Sequence, residues 1–410
     1  MRILHTADWH LGKKLDQQDR LEEQVLFLNW LQKCIREQQI DALIIAGDIF
    51  DTGSPSNEAM QVYYNFLVGL KESGCQSTII IGGNHDSIST LNAPRELLKA
   101  LQIHVVGGVP LDPGEQIIPL KNKQGEVEAV VAAVPFLRDR DVRLSIPGET
   151  ATERSLRLQQ GIAAHYTKLL PGMQFEYNND IPLIATGHLF AQGATACESE
   201  KEIHVGALGQ LPAGTFPTEY AYVALGHLHR PQTVGGLPHI RYSGSPIPLS
   251  FSESSDAKEV VILETQPGKP LQISGIPIPV FRRLLRLHGT PEIVLQKIQD
   301  ILPDTNENQL PFWIEIQVHT QQLLTQLQDE LIENLQKIPG FGQLFLRQIR
   351  LREAKGMAEQ QPDFHQLIDM SPEHVFELRL EALDDAADKE ALTATFQEAM
   401  QYLQEKEGAL

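Results

Sequence analysis

Five short polar clusters carry most of the chemistry this chain can offer: Asp8-Trp9-His10, Gly47-Asp48, Gly83-Asn84-His85-Asp86, Gly187-His188 and Gly226-His227-Leu228-His229. Between them, Asp8, Asp48, Asn84, His10, His188, His227 and His229 supply two carboxylates, one amide oxygen and four imidazoles. This donor set, free of thiolates, suits a pair of borderline divalent cations, and manganese, iron and zinc all fit it chemically. Asp8 and His10, like His227 and His229, are two residues apart. In extended backbone both members of such a pair point to one side, about 6 to 7 Å apart, and can reach two neighbouring metals. Each cluster alone is weak, because Asp-x-His and Gly-Asp after a strand are ordinary polar turns. Their joint occurrence is the signal. His5, His165, His204 and His239 read as packed or surface histidines. Cys34, Cys75 and Cys197 are widely spaced without a CxxC, which argues against a disulfide framework or a thiolate zinc site and for a reducing compartment.

An apolar run precedes each cluster, so each strand delivers a polar tip, and in layered α/β folds the carboxyl ends of strands gather on one edge. The expected strands are Arg2 to Thr6, Ala42 to Ala46, Thr78 to Ile81, Ile103 to Val106, Val127 to Val134, Ile181 to Thr186 and Tyr220 to Leu225. Helices are expected from Leu21, with Asp19 as N-cap and Glu22 three positions on, from Ser56 to Leu70, near Pro94 to Ala100, and from Thr152 to Leu170. Pro267 to Pro279 reads as a linker. Beyond it a strand, helix, strand, helix, strand order predicts a small α+β domain. A helical hairpin opens at Ser371-Pro372-Glu373, with Pro at the first helical position. The expected domains are residues 1–266, 280–352 and 364–410.

Length and composition bound the answer. At about 150 residues per domain, 410 residues allow two or three domains. No apolar run approaches the roughly 18 residues of a spanning helix, and Met1 to Leu11 already contains Asp8 and His10, so no membrane segment or signal peptide is expected and the chain reads as cytoplasmic. The net charge of −19 opposes a polyanionic partner unless bound cations and a few arginines reverse the field locally. Arg138, Arg140 and Arg143 are interrupted by Asp139 and Asp141, which makes a solvated loop the plain reading and DNA contact the alternative. The helix from Ser56 to Leu70 is apolar over about two-thirds of its circumference, more than a surface helix needs, so either its own chain or a second copy must cover it. From Ser371 to Leu410 there are 10 acidic against 3 basic residues on amphipathic helices, a protein-docking composition rather than a DNA-binding one.

The order DxH, GDxxD, GNHD, GH, GHxH resembles that of the calcineurin-like metallophosphoesterases. Asp8-Trp9-His10-Leu11-Gly12, Ala46-Gly47-Asp48-Ile49-Phe50-Asp51-Thr52-Gly53 and Arg241-Tyr242-Ser243-Gly244-Ser245-Pro246-Ile247-Pro248-Leu249-Ser250-Phe251 are similar to the SbcD family of bacterial nuclease subunits. The resemblance implies an α/β/β/α sandwich with a smaller α+β capping domain and a C-terminal helical hairpin. It implies a two-metal phosphodiesterase, with manganese the expected cation: Asp8, His10, Asp48 and His229 around one metal, Asp48, Asn84, His188 and His227 around the other. His85 would steady the scissile phosphate and protonate the leaving oxygen, oriented by Asp51, with Asp86 as the alternative. The implied function is a DNA exonuclease and endonuclease acting at double-stranded ends and hairpins in repair and recombination. The implied partner is an SbcC-like coiled-coil ATPase, and the helix at 56–70 becomes a homodimer contact. A free-standing phosphoesterase acting on phosphoproteins or small nucleotides is the alternative.

Overall fold

The computed structural model describes residues 1–143, 149–177, 181–191, 193–195, 211–266, 269–303, 310–319 and 325–349. The chain divides into two units, Met1–Leu351 and Arg352–Leu410. The helical hairpin expected over 364–410, its start at Ser371, and His204 lie outside the described residues.

Two six-stranded sheets form the body. In the first, Arg2–Thr6, Ala42–Ala46, Ser77–Ile81 and Ile103–Val106 run parallel, and Glu259–Glu264 followed by Gln272–Pro277 add antiparallel to the Arg2–Thr6 side. The second is ordered Gln232–Val234, Leu237–Tyr242, Tyr220–Gly226, Leu183–His188, Val127–Ala132, Ile117–Lys121, parallel across its four central strands. The sheets bury their facing sides together: Ile3, Ile44, Ile79 and Ile81 of one meet Val131, Ile184, Tyr222 and Ala224 of the other. Alternate residues Leu4, Leu43, Ile45 and Ile80 turn outward onto the helices Leu21–Glu37 and Asn57–Ser73. Val130, Ala185 and Val223 turn outward onto Leu158, Ile162, Tyr166 and Leu169 of the helix Ala151–Glu176. Strands buried on both faces read as unbroken apolar runs, which is why the sequence reveals them. The arrangement is the expected α/β/β/α sandwich.

Several elements differ from expectation for identifiable reasons. Asp19 accepts from Leu21 N at 2.7 Å, but it is Arg20 that holds the N-cap position, and the Arg20 side chain makes no capping bond. The helix expected to stop at Leu170 runs through Pro171 to Glu176, with the buried Met173 holding the extension; its start is set by a reciprocal pair in which Thr150 Oγ1 accepts from Glu153 N and Glu153 Oε2 from Thr150 N. The stretch expected as a linker contains the strand Gln272–Pro277, which forms the sheet edge, where proline is tolerated. Ile117–Lys121, Gln232–Val234, Leu237–Tyr242 and Glu259–Glu264 are strands outside the expected set. The basic run is not an open track: Arg143 pairs with Asp139 at 3.0 Å and Glu149 at 2.9 Å. His5 is buried between the sheets with Nδ1 3.0 Å from the Tyr222 hydroxyl, and His165 Nε2 lies 3.0 Å from Gln116 Oε1.

After the body, Arg282–Gly289, Leu310–His319 and Phe341–Ile349 form a three-stranded parallel sheet, with the helices Pro291–Gln299 and Thr325–Gln336 between them in sequence, in the predicted order. Buried charge anchors it. The Arg20 guanidinium, fully buried, donates to Glu23 Oε1 and Oε2, each at 2.7 Å, and to the Pro248 carbonyl. Arg282 Nε approaches Glu23 Oε2 at 3.5 Å, while its guanidinium stacks on Trp313 at 4.3 Å and donates to the Pro311 carbonyl at 2.6 Å. Leu15, Phe251, Leu284, Trp313 and Phe345 close over this knot. Replacing Glu23 with Ala strands two buried guanidinium groups, and we expect a loss of about 3–5 kcal/mol, read as a shifted urea midpoint by tryptophan fluorescence. A loss below about 1 kcal/mol would mean that the carbonyl acceptors alone satisfy both arginines.

Candidate metal centre

The first two strands end side by side, and their loops continue the pairing: Asp8 N donates to Gly47 O at 3.0 Å, His10 N to Asp48 O at 3.0 Å and Leu11 N to Ile49 O at 2.9 Å. The backbone there is not extended. Asp8, His10, Asp48 and His227 have φ of 54°, 46°, 50° and 103°, the left-handed region that side chains rarely adopt. The extended-pair geometry expected for Asp8/His10 and His227/His229 is therefore corrected: both pairs lie past the strand ends, in turns that aim side chains individually. Gly47 shows why a glycine precedes Asp48, since φ is 89° and a Cβ there would collide with Nδ1 of His188 from the opposite sheet.

All seven expected ligand residues come together at this edge. Asp48 Oδ2 lies 3.4 Å from His10 Nε2 and 3.3 Å from His188 Nε2, one imidazole from each sheet, while Asp48 Oδ1 accepts from His85 N at 2.9 Å. His188 Nε2 also faces Asn84 Oδ1 at 2.9 Å, its Nδ1 being committed to the Ala46 carbonyl at 3.0 Å. Asp8 Oδ1 accepts from His227 N at 2.8 Å. Ring centroids of His10 and His229 are 5.1 Å apart, those of His188 and His227 5.5 Å. Asp8, His10, Asp48, His188, His227 and His229 are buried.

Burial of so many ionisable groups shifts them strongly. Burial pushes Asp8 up to about 7, with the Asp48 charge adding to the rise against the pull of His188. Burial also opposes ionisation of Asp48, but the imidazoles of His188 and His10 outweigh it and hold that carboxyl well below the usual range. His188, which burial would depress, is raised to about 9 by Asp48. Burial keeps His227 well below its ordinary value and takes His229 down to about 4, so these two rings are neutral. His188 and His10, which their carboxylate neighbours push up, balance the buried acids, while His227 and His229 present neutral imidazoles. Asp8 Oδ2 and His10 Nε2 are buried without a hydrogen-bond partner. Buried carboxylate and imidazole atoms without a hydrogen-bond partner fit divalent cations, which would displace the protons there.

His85 Nδ1 donates to the main-chain carbonyl of Asp51 at 2.6 Å, so the ring is oriented by backbone rather than by either carboxylate considered from the sequence. The Asp51 carboxylate instead meets His10 Nδ1 at 3.2 Å and Lys13 Nζ at 3.0 Å. Asp86 is spent on the backbone, accepting from Gly83, Ile49 and Phe50 N at 2.9, 3.1 and 3.0 Å, and it ties the second and third loops together. Among the described residues two triads have ligand atoms close enough to share an ion, Asp8/Asp48/His188 and His10/Asp51/His85. In the second, Nδ1 of both histidines is already hydrogen-bonded to Asp51, which makes it a positioning set. The spacing of the sequence contains no signal for Glu253, whose Oε1 lies 3.6 Å from His229 Nδ1.

The calcineurin-like phosphoesterase family matches residues 1–231, and the family described as "Type 5 capsule protein repressor C-terminal domain" matches residues 280–383. The chain is 36% identical to the SbcD subunit of nuclease SbcCD from Escherichia coli K12 over 94% of both chains. It is 37% identical to the corresponding protein of Rhodobacter capsulatus over 76% of this chain and 79% of the relative, and 34% identical to that of Bacillus subtilis over 83% and 84%. No helix among the described residues is long and apolar enough to cross a membrane. With the sandwich, the clustered donors and these similarities in agreement, the chain belongs to the calcineurin-like phosphoesterases and, within them, to the SbcD nuclease subunits, metal-dependent phosphodiesterases.

Proposed function

We propose that Asp8, His10, Asp48 and His229 hold one divalent cation and Asp48, Asn84, His188 and His227 a second, with Asp48 shared. The observation that carries this reading is Asp48 Oδ2, set between imidazole nitrogens of opposite sheets at 3.4 and 3.3 Å. Manganese is the metal we assign, on the oxygen and imidazole donors and the absence of thiolate. Two such cations supply an activated water and a clamp on the phosphate oxygens. The chain's own part is positional. Asp51 orients His10 through Nδ1, and the Ala46 carbonyl does the same for His188. His85, fixed through Nδ1, offers Nε2 as the acid that protonates the leaving oxygen.

DNA at double-stranded ends and hairpins is the substrate, acted on by exonucleolytic and endonucleolytic cleavage in repair and recombination in the cytoplasm, and an SbcC-like coiled-coil ATPase is the partner. The names of the relatives, each one part of an SbcCD nuclease, support this. Paired dications at the cleft reverse the repulsion of a −19 chain where the phosphate must sit. We assign residues 1–266 to catalysis, 280–352 to a cap and 364–410 to docking on the ATPase. The helix Asn57–Ser73 supports a homodimer contact: Tyr63, Phe66, Leu67 and Leu70 are buried, whereas Met60 and Tyr64 are half-buried and Val68 is 68% exposed.

Removing the shared carboxylate, Asp48→Ala, is expected to cut Mn²⁺-dependent cleavage of hairpin DNA by about three orders of magnitude while circular dichroism stays native, since several kcal/mol of charge stabilisation is lost. Near-normal cleavage would refute the shared-ligand assignment. His85→Ala should retain both cations in a Mn²⁺ titration yet lose about 10²- to 10⁴-fold in cleavage rate; loss of metal in parallel would make His85 a ligand. A chain ending at residue 370 should keep basal phosphodiesterase activity and fail to copurify with the coiled-coil ATPase, and full copurification would move the docking site elsewhere.

A further inference from the structure

The segment Arg241 to Phe251, conspicuous in the sequence, has no part in the two-cation assignment, and it lies beyond residue 231, where the phosphoesterase match ends. In space it grips His229. That residue sits three positions past the end of the strand Tyr220–Gly226, so no sheet pairing holds it. Its carbonyl accepts instead from Ser245 N at 3.0 Å and Lys258 Nζ at 2.9 Å. Gly244, with φ of 75°, allows this approach, because a Cβ there would strike the same carbonyl. Glu253 Oε1 comes within 3.6 Å of the ring at Nδ1.

We propose that Glu253, fixed by Lys258, is a positioning residue that sets the His229 imidazole for cation binding; the proposal rests on His229 being a ligand. Glu253 is fully buried, and its neighbours leave it one orientation. Oε2 accepts from Lys258 Nζ at 2.7 Å, Leu249 N at 3.2 Å and Ser245 Oγ at 3.3 Å, and Oε1 from Ser250 Oγ at 3.4 Å. A negative charge opposite Nδ1 keeps the proton on that nitrogen and turns the Nε2 lone pair toward the site, the role carboxylates play behind metal-binding histidines. Lys258 completes the device: by bonding Oε2 and the His229 carbonyl together it ties the carboxylate to the backbone it serves, and it leaves no net charge buried. A lysine bridging acid and carbonyl would be superfluous if Glu253 only filled space.

The test compares full-length wild-type protein with E253Q/K258M, E253D and H229A, reading free Mn²⁺ by electron paramagnetic resonance, folding by circular dichroism, and hydrolysis of bis(p-nitrophenyl) phosphate against Mn²⁺ concentration. H229A should lose one of two cations. E253Q/K258M, which removes both charges together, should melt near wild type yet bind one cation about 10- to 100-fold more weakly, with hydrolysis recovering at high Mn²⁺. E253D, which keeps the charge but withdraws it by one methylene, should fall in between, and it decides the question alone if the double variant does not fold. Wild-type Mn²⁺ affinity in the Glu253 variants alongside loss of a cation in H229A overturns the proposal and leaves the ligand reading intact. Two cations at wild-type affinity in H229A overturn both.

Discussion

Two buried carboxylates a few ångströms apart set the terms for everything around them. Asp8 and Asp48 sit at the seam of an apolar sandwich where water cannot screen them, and their repulsion has to be met by positive charge drawn to the same place. The protein meets that demand asymmetrically. Asp48 keeps its ionisation because imidazoles of both sheets face it, whereas Asp8 is driven toward the neutral form.

Rigidity follows from the same demand. Left-handed backbone at four of the seven donor residues is an energetic cost that only dense pairing can sustain. The pairing is visible in the loops that continue the sheet beyond its strands, in the three amides gathered by Asp86, and in the Ser245 and Lys258 bonds to the His229 carbonyl. His10, His188 and His229 are each held from behind, by Asp51, the Ala46 carbonyl and the Ser245/Lys258 pair.

How much of this could be read beforehand depended on whether it was written in periodicity. The sandwich and the gathering of Asp8, Asp48, Asn84, His188 and His227 were legible because double-sided burial makes strands into apolar runs, and the polar residues that end them stand out. The strand Gln272–Pro277 was hidden because prolines disguise an edge that needs few ladder bonds. The direction of individual side chains was hidden as well. An Asp three positions from Asp48 gave no indication that its carbonyl would orient His85 and its carboxylate His10, since residue spacing does not say which way a loop aims its groups. Glu253 was the least legible, because its function depends on a 24-residue detour back to His229.

The place of the first strand also has a consequence in time. Arg2–Thr6 is interior to its sheet, paired on one side with Ala42–Ala46 and on the other with Glu259–Glu264, which lies more than 250 residues downstream. On a ribosome adding about 5–20 residues per second, that partner emerges only after a delay of tens of seconds. Until then the N-terminal strand has one open edge and the centre lacks the Ser245 and Lys258 contacts that brace His229. A growing chain therefore completes the first sheet, and the bracing of His229 at the edge of the centre, only after more than 250 residues have been made.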